Sequence, residues 1–200
     1  MKTILFDFGN VIAFFDHTRA TRKFAKYSGM PQEKMYSLIY DTELEYDFEA
    51  GRLSVPEFVR KAKAVIGYRG TDKEFEAAFI DIFTANDPVC TLIPRLKQRY
   101  RLVLASNTNR LHFGHYRGLF RDVLSQFDGI GVSFEAGARK PHPDFFAHCQ
   151  RMTAADPNEC LFIDDMATNV EGAEKFGWHG VLYTSPEELV HRLRGHDVDI

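Results

Sequence analysis

No stretch of this 200-residue chain comes near the ~18 consecutive apolar residues that a membrane-crossing helix requires. The apolar run after Lys2 is cut by Asp7 too early for a secretory leader. Cysteine is scarce: Cys90, Cys149 and Cys160 are odd in number, and no CxxC spacing occurs. A disulfide framework and a thiolate metal site are therefore set aside, and reduced thiols in a cytoplasmic protein are expected. An excess of one charge is lacking too. The 25 Lys and Arg against 28 Asp and Glu leave a formal charge of -3, so no basic face advertises itself to nucleic acid or to an anionic membrane. What remains is an ordinary globular composition, long enough for one large domain or for a domain with a smaller one inserted. Small molecules are the expected partners, and oligomeric state leaves no signature.

Five short runs rich in aliphatic, β-branched or aromatic residues read as strands: Thr3–Phe8, Leu102–Ala105, Gly129–Ser133, Leu161–Ile163 and Val181–Tyr183. Four are nearly continuous in apolar character, as in a parallel sheet covered on both faces. Helical spacing lies between them. Leu92, Ile93, Leu96 and Tyr100 form one stripe, with Asp87 placed as N-cap and Pro88 at the first helical position. Phe145, Phe146, Cys149 and Met152 form another, and Thr168 with Glu171 and Ser185 with Glu188 read as capping boxes of the last two helices. Alternating strand and helix predicts a doubly wound α/β sheet.

Strand signals are missing from about Phe15 to Phe83. Helical ones replace them: capping boxes at Ser54 with Glu57 and at Thr71 with Glu74, glycines 51, 67 and 70 where helices should stop, and apolar residues from Phe24 to Ile82 at helical intervals. The block is too long for a loop. It is expected to be a small helical domain, residues 15–83, inserted into an α/β core of residues 1–14 and 84–200.

In open α/β sheets, ligands bind beyond the carboxyl ends of the strands, where strand order reverses. Asp7, Gly9 and Asn10 follow the first strand, Ser106, Asn107, Thr108 and Asn109 the second, and Asp164 with Asp165 the fourth; the loop GARKPHPD after the third carries Lys140. Each alone reads as a cap, a turn or a solvated charge. Together they read differently, because carboxylates crowded at one sheet edge cost several kcal/mol, of order ~3–5, unless a cation accompanies them. Hard oxygen ligands with room for water suit Mg²⁺.

DFGNVI, LASNTNRLHF, GARKPHPDFF and FIDDMATNVEGA, in that order with a helical insertion after the first, resemble the four motifs of the haloacid dehalogenase superfamily of hydrolases. More narrowly, they are similar to its bacterial sugar-phosphate phosphatases of the α-glucose-1-phosphatase type. The resemblance spans essentially the whole chain and implies a Rossmann-like core with a helical cap, and a Mg²⁺-dependent phosphatase of a small phosphorylated metabolite, with sugar phosphates favoured. It implies that Asp7 is the nucleophile that forms an aspartyl phosphate, and that Ser106 and the Asn107 amide hold phosphoryl oxygens. Lys140 would contact Asp7 and the phosphoryl group. Asp7, the Gly9 carbonyl, Asp164 and Asp165 would form the metal shell, with Asn169 fixing the loop behind them.

One position departs from the resemblance. Most phosphatases of the superfamily carry a second Asp two residues after the nucleophile, which protonates the leaving oxygen, and here that residue is Gly9. General acid catalysis is typically worth 10²- to 10⁴-fold, so either the leaving group is acidic or another residue, Asp16, His17 or one from the helical insert, supplies the proton. The gap keeps two alternatives open: a 2-haloacid dehalogenase, whose aspartate attacks carbon and needs no metal, and a catalytically silent binding module. His112 and His115 have HxxH spacing but are read as surface residues, and Arg139 as solvent-facing.

Overall fold

Every side chain of Thr3–Phe6 is buried, which an apolar strand achieves only with a neighbour on each edge and a layer on each face. The computed structural model describes residues 1–200 and supplies both. Its strands are β1 (Thr3–Phe6), β2 (Ala13–Phe15), β3 (Phe83–Ala85), β4 (Arg101–Ser106), β5 (Gly129–Val132), β6 (Cys160–Asp164) and β7 (His179–Leu182). Five form a parallel sheet in the order β5-β4-β1-β6-β7, with Ile4 opposite Leu102 on one side and Leu161 on the other. Chain order runs outward from β1 through β4 to β5, then returns to β6 and β7. The reversal falls at β1, so a doubly wound sheet has its crevice beside residue 7.

Alternation along β1 builds two layers. Ile4 and Phe6 join a core with Leu96, Leu104 and Leu193, whereas Leu5 joins Val103, Phe146 and Trp178 on the opposite face. Helices cover both faces. Between β2 and β3 come α1 (Thr18–Phe24), α2 (Gln32–Ile39), α3 (Glu43–Glu49), α4 (Val55–Ile66) and α5 (Asp72–Ile80). These five helices have a core of their own, in which Phe24 stacks on Phe75 and Phe48 on Phe58. After β3 follow α6 (Asp87–Lys97), α7 (Arg110–Leu119), α8 (Arg121–Leu124), α9 (Ser133–Ala136), α10 (Pro143–Gln150), α11 (Ala167–Phe176) and α12 (Pro186–Gly195). None of these helices is long and apolar enough to cross a membrane. The three cysteines are free, on α6, α10 and the first residue of β6.

Several local expectations need correction. A two-stranded antiparallel ribbon, β2 with β3, closes the root of the five-helix block, pairing Ala13 with Ala85. Its strands have three residues each with most side chains not buried, and Ala13–Phe15 only continues the apolar run that starts at Val11, so nothing marks it as a strand of its own. Asn86 rather than Asp87 is the N-cap of α6; its side chain reaches instead to the Val11 carbonyl and the Tyr183 hydroxyl. Thr168 caps nothing, because α11 has Met166 as its N-cap and the Asp164 carboxylate accepts from the Met166 N–H. The boxes at Ser54 and Thr71 are formed, and the Ser185 side chain accepts from the Glu188 N–H. Gly67 ends α4 in the left-handed conformation, while Gly70 ends no helix.

Candidate active site

The backbone of Asp7 still belongs to the sheet, its N–H donating to Ile163 O at 2.9 Å. The chain then turns out of β1 through Asn10, whose φ of 55° lies in the left-handed region that Asn tolerates better than most residues. That turn aims the Asn10 amide at Asp165, and Nδ2 donates to Oδ2 at 2.9 Å. From the opposite loop Lys140 enters, its side chain only 1% exposed, with Nζ 2.7 Å from Asp7 Oδ1 and 2.6 Å from Asp164 Oδ2. The other oxygen of Asp164 accepts from Met166 N at 2.8 Å and Asn169 Nδ2 at 3.0 Å. Asp164 is thus held from both sides. Asp165, half-buried, accepts from Asn10 alone among side chains.

Asp7, Asp164 and Asp165 each bring a carboxylate oxygen within 4.8 Å of the others. Burial pushes the Asp7 carboxyl well above the usual carboxylate range; Lys140 pulls it down, and the charges of Asp164 and Asp165 push it further up. Asp165 is raised for the same first reason, against the Asn10 hydrogen bond. Burial alone would lower Lys140, yet Asp164 and Asp7 outweigh it and hold the ammonium above its ordinary value. One ammonium therefore faces three carboxylates, with a deficit of positive charge among oxygen donors. That donor set fits a hard divalent cation such as Mg²⁺.

Ser106 ends β4 and is buried beside Asn107. The Asn107 amide locks the two loops together: Oδ1 accepts from Lys140 N at 2.8 Å, and Nδ2 donates to Lys140 O at 3.2 Å. Ser133 Oγ accepts from Thr108 N at 2.9 Å, fixing the next residue. A cavity of about 570 Å³ opens over Asp7, Gly9, Asn107, Lys140 and Asp165; Ser106 lines a smaller cleft of about 60 Å³ that shares Gly9 and Asn107 with it.

The far wall of the cavity comes from α2 and α3, and sequence reasoning did not single out its residues. Asp41, Glu45 and Glu49 line it together with Tyr36 and Tyr46. Arg139 is not solvent-facing: Nε lies 2.6 Å from Glu49 Oε2, and the guanidinium stacks 4.2 Å over the Tyr46 ring. Gly51, just past α3, has φ 71°, and a Cβ there would fall 2.3 Å from the Phe134 carbonyl oxygen, so the block presses its backbone against the core. Burial first, and then the charge of Glu49, push the Glu45 carboxyl up to about 8. Burial also raises Glu49, with Arg139 opposing it. Glu45 and Glu49 stand one helical turn apart, a spacing visible in the sequence, but two glutamates so placed read as a solvated face until α3 is docked.

Of the residues considered as proton donors, Asp16 is exposed, accepts from Thr18 N and Oγ1 at 2.9 and 2.6 Å, and is lowered by those bonds. It does not line the cavity. His17 does, stacked 3.9 Å from the Tyr40 ring, and burial pushes it down to about 4. His112 is core rather than surface: it stacks on Phe79, and its ring nitrogens lie 3.0 Å from Asn109 Nδ2 and 3.1 Å from Phe79 O.

A family profile described as "Hydrolase: haloacid dehalogenase-like hydrolase" matches residues 1–177. The D-ribitol-5-phosphate phosphatase of Bacteroides thetaiotaomicron is 26% identical over 184 residues, 89% of each chain. The sesquiterpene phosphatase astK of Aspergillus oryzae is 26% identical over 197 residues, 96% of this chain and 95% of its own. Among solved structures, the magnesium complex of the HAD family enzyme bt-2542 from B. thetaiotaomicron superposes with a TM-score of 0.82 at 25% identity, covering 97% of this chain and 98% of that one. An L-2-haloacid dehalogenase from Xanthobacter autotrophicus shares the fold at a TM-score of 0.69 and 17% identity, over 100% of this chain and 85% of its own.

Proposed function

The chain belongs to the haloacid dehalogenase-like hydrolases, and from that membership we propose that it is a Mg²⁺-dependent phosphatase of a small phosphorylated metabolite, acting through an aspartyl phosphate on Asp7. One observation carries the reading: a buried lysine bridges Asp7 and Asp164 beside a third carboxylate, at the strand tips where the fold places ligands. Phosphoryl transfer asks a protein chiefly for position and for positive charge beside the transferring group, and Lys140 with a divalent ion answers both demands.

Asp7, Asp165 and the Gly9 carbonyl would hold Mg²⁺, with Asp164 adjoining and steadying Lys140. When bound, the ion supplies charge that lets an anionic nucleophile meet an anionic phosphorus. Lys140 keeps Asp7 ionised and receives phosphoryl oxygens, and Ser106 with the Asn107 amide receives others. The helices of residues 15–83 act as a cap on the core of residues 1–14 and 84–200, and their wall excludes water during transfer. A cavity of about 570 Å³ suits a small ligand. The exposed Asp41 on that wall would accept from sugar hydroxyls and Tyr36 would face a sugar ring, which supports a sugar or polyol phosphate, in keeping with the ribitol-phosphate relative. The three free cysteines accord with a cytoplasmic setting.

The test is Mg²⁺-dependent phosphate release from p-nitrophenyl phosphate, whose leaving group needs no proton. Turnover lost on chelation and in Asp7→Asn is the expected result. Chloride release from chloroacetate without metal would instead mark a dehalogenase, and ligand binding without turnover a silent module.

A further inference from the structure

Position 9 lacks the carboxyl group that would protonate a leaving oxygen, and the space for one is occupied. A Cβ on Gly9 would lie 2.9 Å from Phe15 Cε1 and 3.3 Å from Cδ1. A donor must therefore come from elsewhere on the cavity, hold a proton near neutral pH, and have a free atom from which to give it.

Besides Asp7 and Asp165, four carboxyl or imidazole groups line the cavity: His17, Asp41, Glu45 and Glu49. Glu49 is ion-paired to Arg139, and Asp41 is exposed. Burial keeps the His17 ring unprotonated. Glu45 differs from all three. It is 7% exposed, its Oε2 accepts from the Asp41 N–H at 2.8 Å, which orients the carboxyl, and Oε1 has no partner within the protein. The ionisable groups around it are Asp41 from the turn before α3, Glu49 one turn along α3, Tyr36 and Tyr40 from α2 and its end, and Arg139 from the core. Arg139 alone among these is cationic, and it is committed to Glu49. Burial and the negative neighbours both favour a Glu45 that keeps its proton.

We propose that Glu45 is a catalytic acid–base residue, delivering from the helical block the proton that Gly9 cannot. The inference rests on the phosphatase reading above. As an Asp7 oxygen bonds to phosphorus, the ester P–O bond breaks with its electron pair on the leaving oxygen, and that oxygen takes the proton from Glu45 Oε1. A water molecule then attacks the phosphorus of the aspartyl phosphate, the Asp7 O–P bond breaks with its pair returning to Asp7, and the water proton returns to Glu45.

The experiment uses the full chain with Mg²⁺ and the variant Glu45→Gln, which retains an oxygen to accept from Asp41 N. Two substrates are compared: p-nitrophenyl phosphate, and the fastest alkyl phosphate among ribitol 5-phosphate, glucose 6-phosphate and glycerol 3-phosphate. The expected result is a loss of kcat/KM, which reports only the steps through formation of the aspartyl phosphate, of about 10²- to 10⁴-fold on the alkyl phosphate and a change within about threefold on the aryl phosphate. The alkaline fall in wild-type kcat/KM should appear with the alkyl substrate and vanish in the variant. An equal loss of kcat/KM on both substrates, as from damaged packing, or no loss on the alkyl one, overturns the proposal. If the variant does not fold, the wild type decides: an alkaline limb confined to alkyl phosphates supports Glu45, and identical profiles for both classes refute it. A wild type that hydrolyses no phosphate ester brings down the phosphatase reading and this inference with it, whereas a wild type active on both with an indifferent Glu45→Gln overturns this inference alone.

Discussion

Replacing Lys140 with methionine keeps most of the side-chain volume and removes the one ammonium between Asp7 and Asp164. All three side chains are buried or nearly so, at 1%, 12% and 0% exposure, so solvent cannot take over the role of the lysine. Deleting one partner of a buried ion pair costs roughly 3–5 kcal/mol. The lower end applies here, because Asp164 keeps its bonds from Met166 N and Asn169 Nδ2, and Asp7 can relieve itself by taking up a proton. In a chain of this length each kcal/mol moves the melting temperature by about 2–4 °C, so about 3 kcal/mol becomes a fall of roughly 6–12 °C. Circular dichroism melts in EDTA would read it. Adding Mg²⁺ should raise the melting temperature of Lys140→Met more than that of the wild type, since the ion then meets carboxylates that have no other counter-charge. A variant that melts within 2 °C or so of the wild type in EDTA, below the ~3 kcal/mol expected, would refute the view of Lys140 as the charge that makes this cluster tolerable.

Three further outcomes are expected. Gly51→Ala should lower the urea midpoint by the equivalent of about 2–4 kcal/mol, since a Cβ must enter both a left-handed conformation and the space of the Phe134 carbonyl oxygen; an unchanged midpoint would mean that α3 is not pressed on the core as described. Asn10→Gly, which keeps the φ of 55° accessible but deletes the bond to Asp165, should leave the fold intact and weaken Mg²⁺ about 10- to 100-fold in isothermal titration; equal affinity would remove Asn10 from the support of the site. Acidification tests His112, which burial pushes down to about 3. Below about pH 6.5 the unfolded chain takes up this proton and the folded chain does not, so stability falls with pH at up to about 1.4 kcal/mol per unit until the folded value is reached. His17, pushed down to about 4, adds to the slope. Urea titrations of His112→Asn between pH 6.5 and 4.5 should show a visibly shallower dependence; an identical slope would contradict the assignment.

The five sheet strands were legible because each carries a short apolar run, nearly wholly buried in the inner three, a pattern that survives without knowing its neighbours. Their tips were legible for the same reason, so Asp7, Lys140, Asp164 and Asp165 could be placed at one edge before any coordinates. The caps at Ser54, Thr71 and Ser185 were equally local. What escaped depends on docking. The ribbon of β2 and β3 has only three residues a side, most of them outside the core, and is defined by its partner rather than by its composition. Thr168 was misread because α11 starts before it: Met166 is the N-cap, its N–H is taken by the Asp164 carboxylate, and Thr168 falls inside the first turn. Arg139 read as solvent-facing and Glu45 and Glu49 were not singled out, because only the seating of α3 against α9 brings Glu49 to Arg139 and turns the two glutamates inward. His112 was misjudged likewise: its HxxH spacing suggested exposure, and the aromatic layer that buries it comes from α5.

The ribbon at the root of the helices has an evolutionary reading. Ala13 and Ala85 face each other across it, so the chain departs and comes home through a single doorway. A lobe hung on one doorway can be lengthened, shortened or traded between lineages without rethreading the five parallel strands. Such a trade would alter which molecules are admitted while Asp7 and Lys140 stay in place. Here the departing lobe would also carry away Glu45, so on the role proposed for it, descendants that exchanged it would have to find esters whose alcohols leave unaided, or a new donor in the incoming lobe.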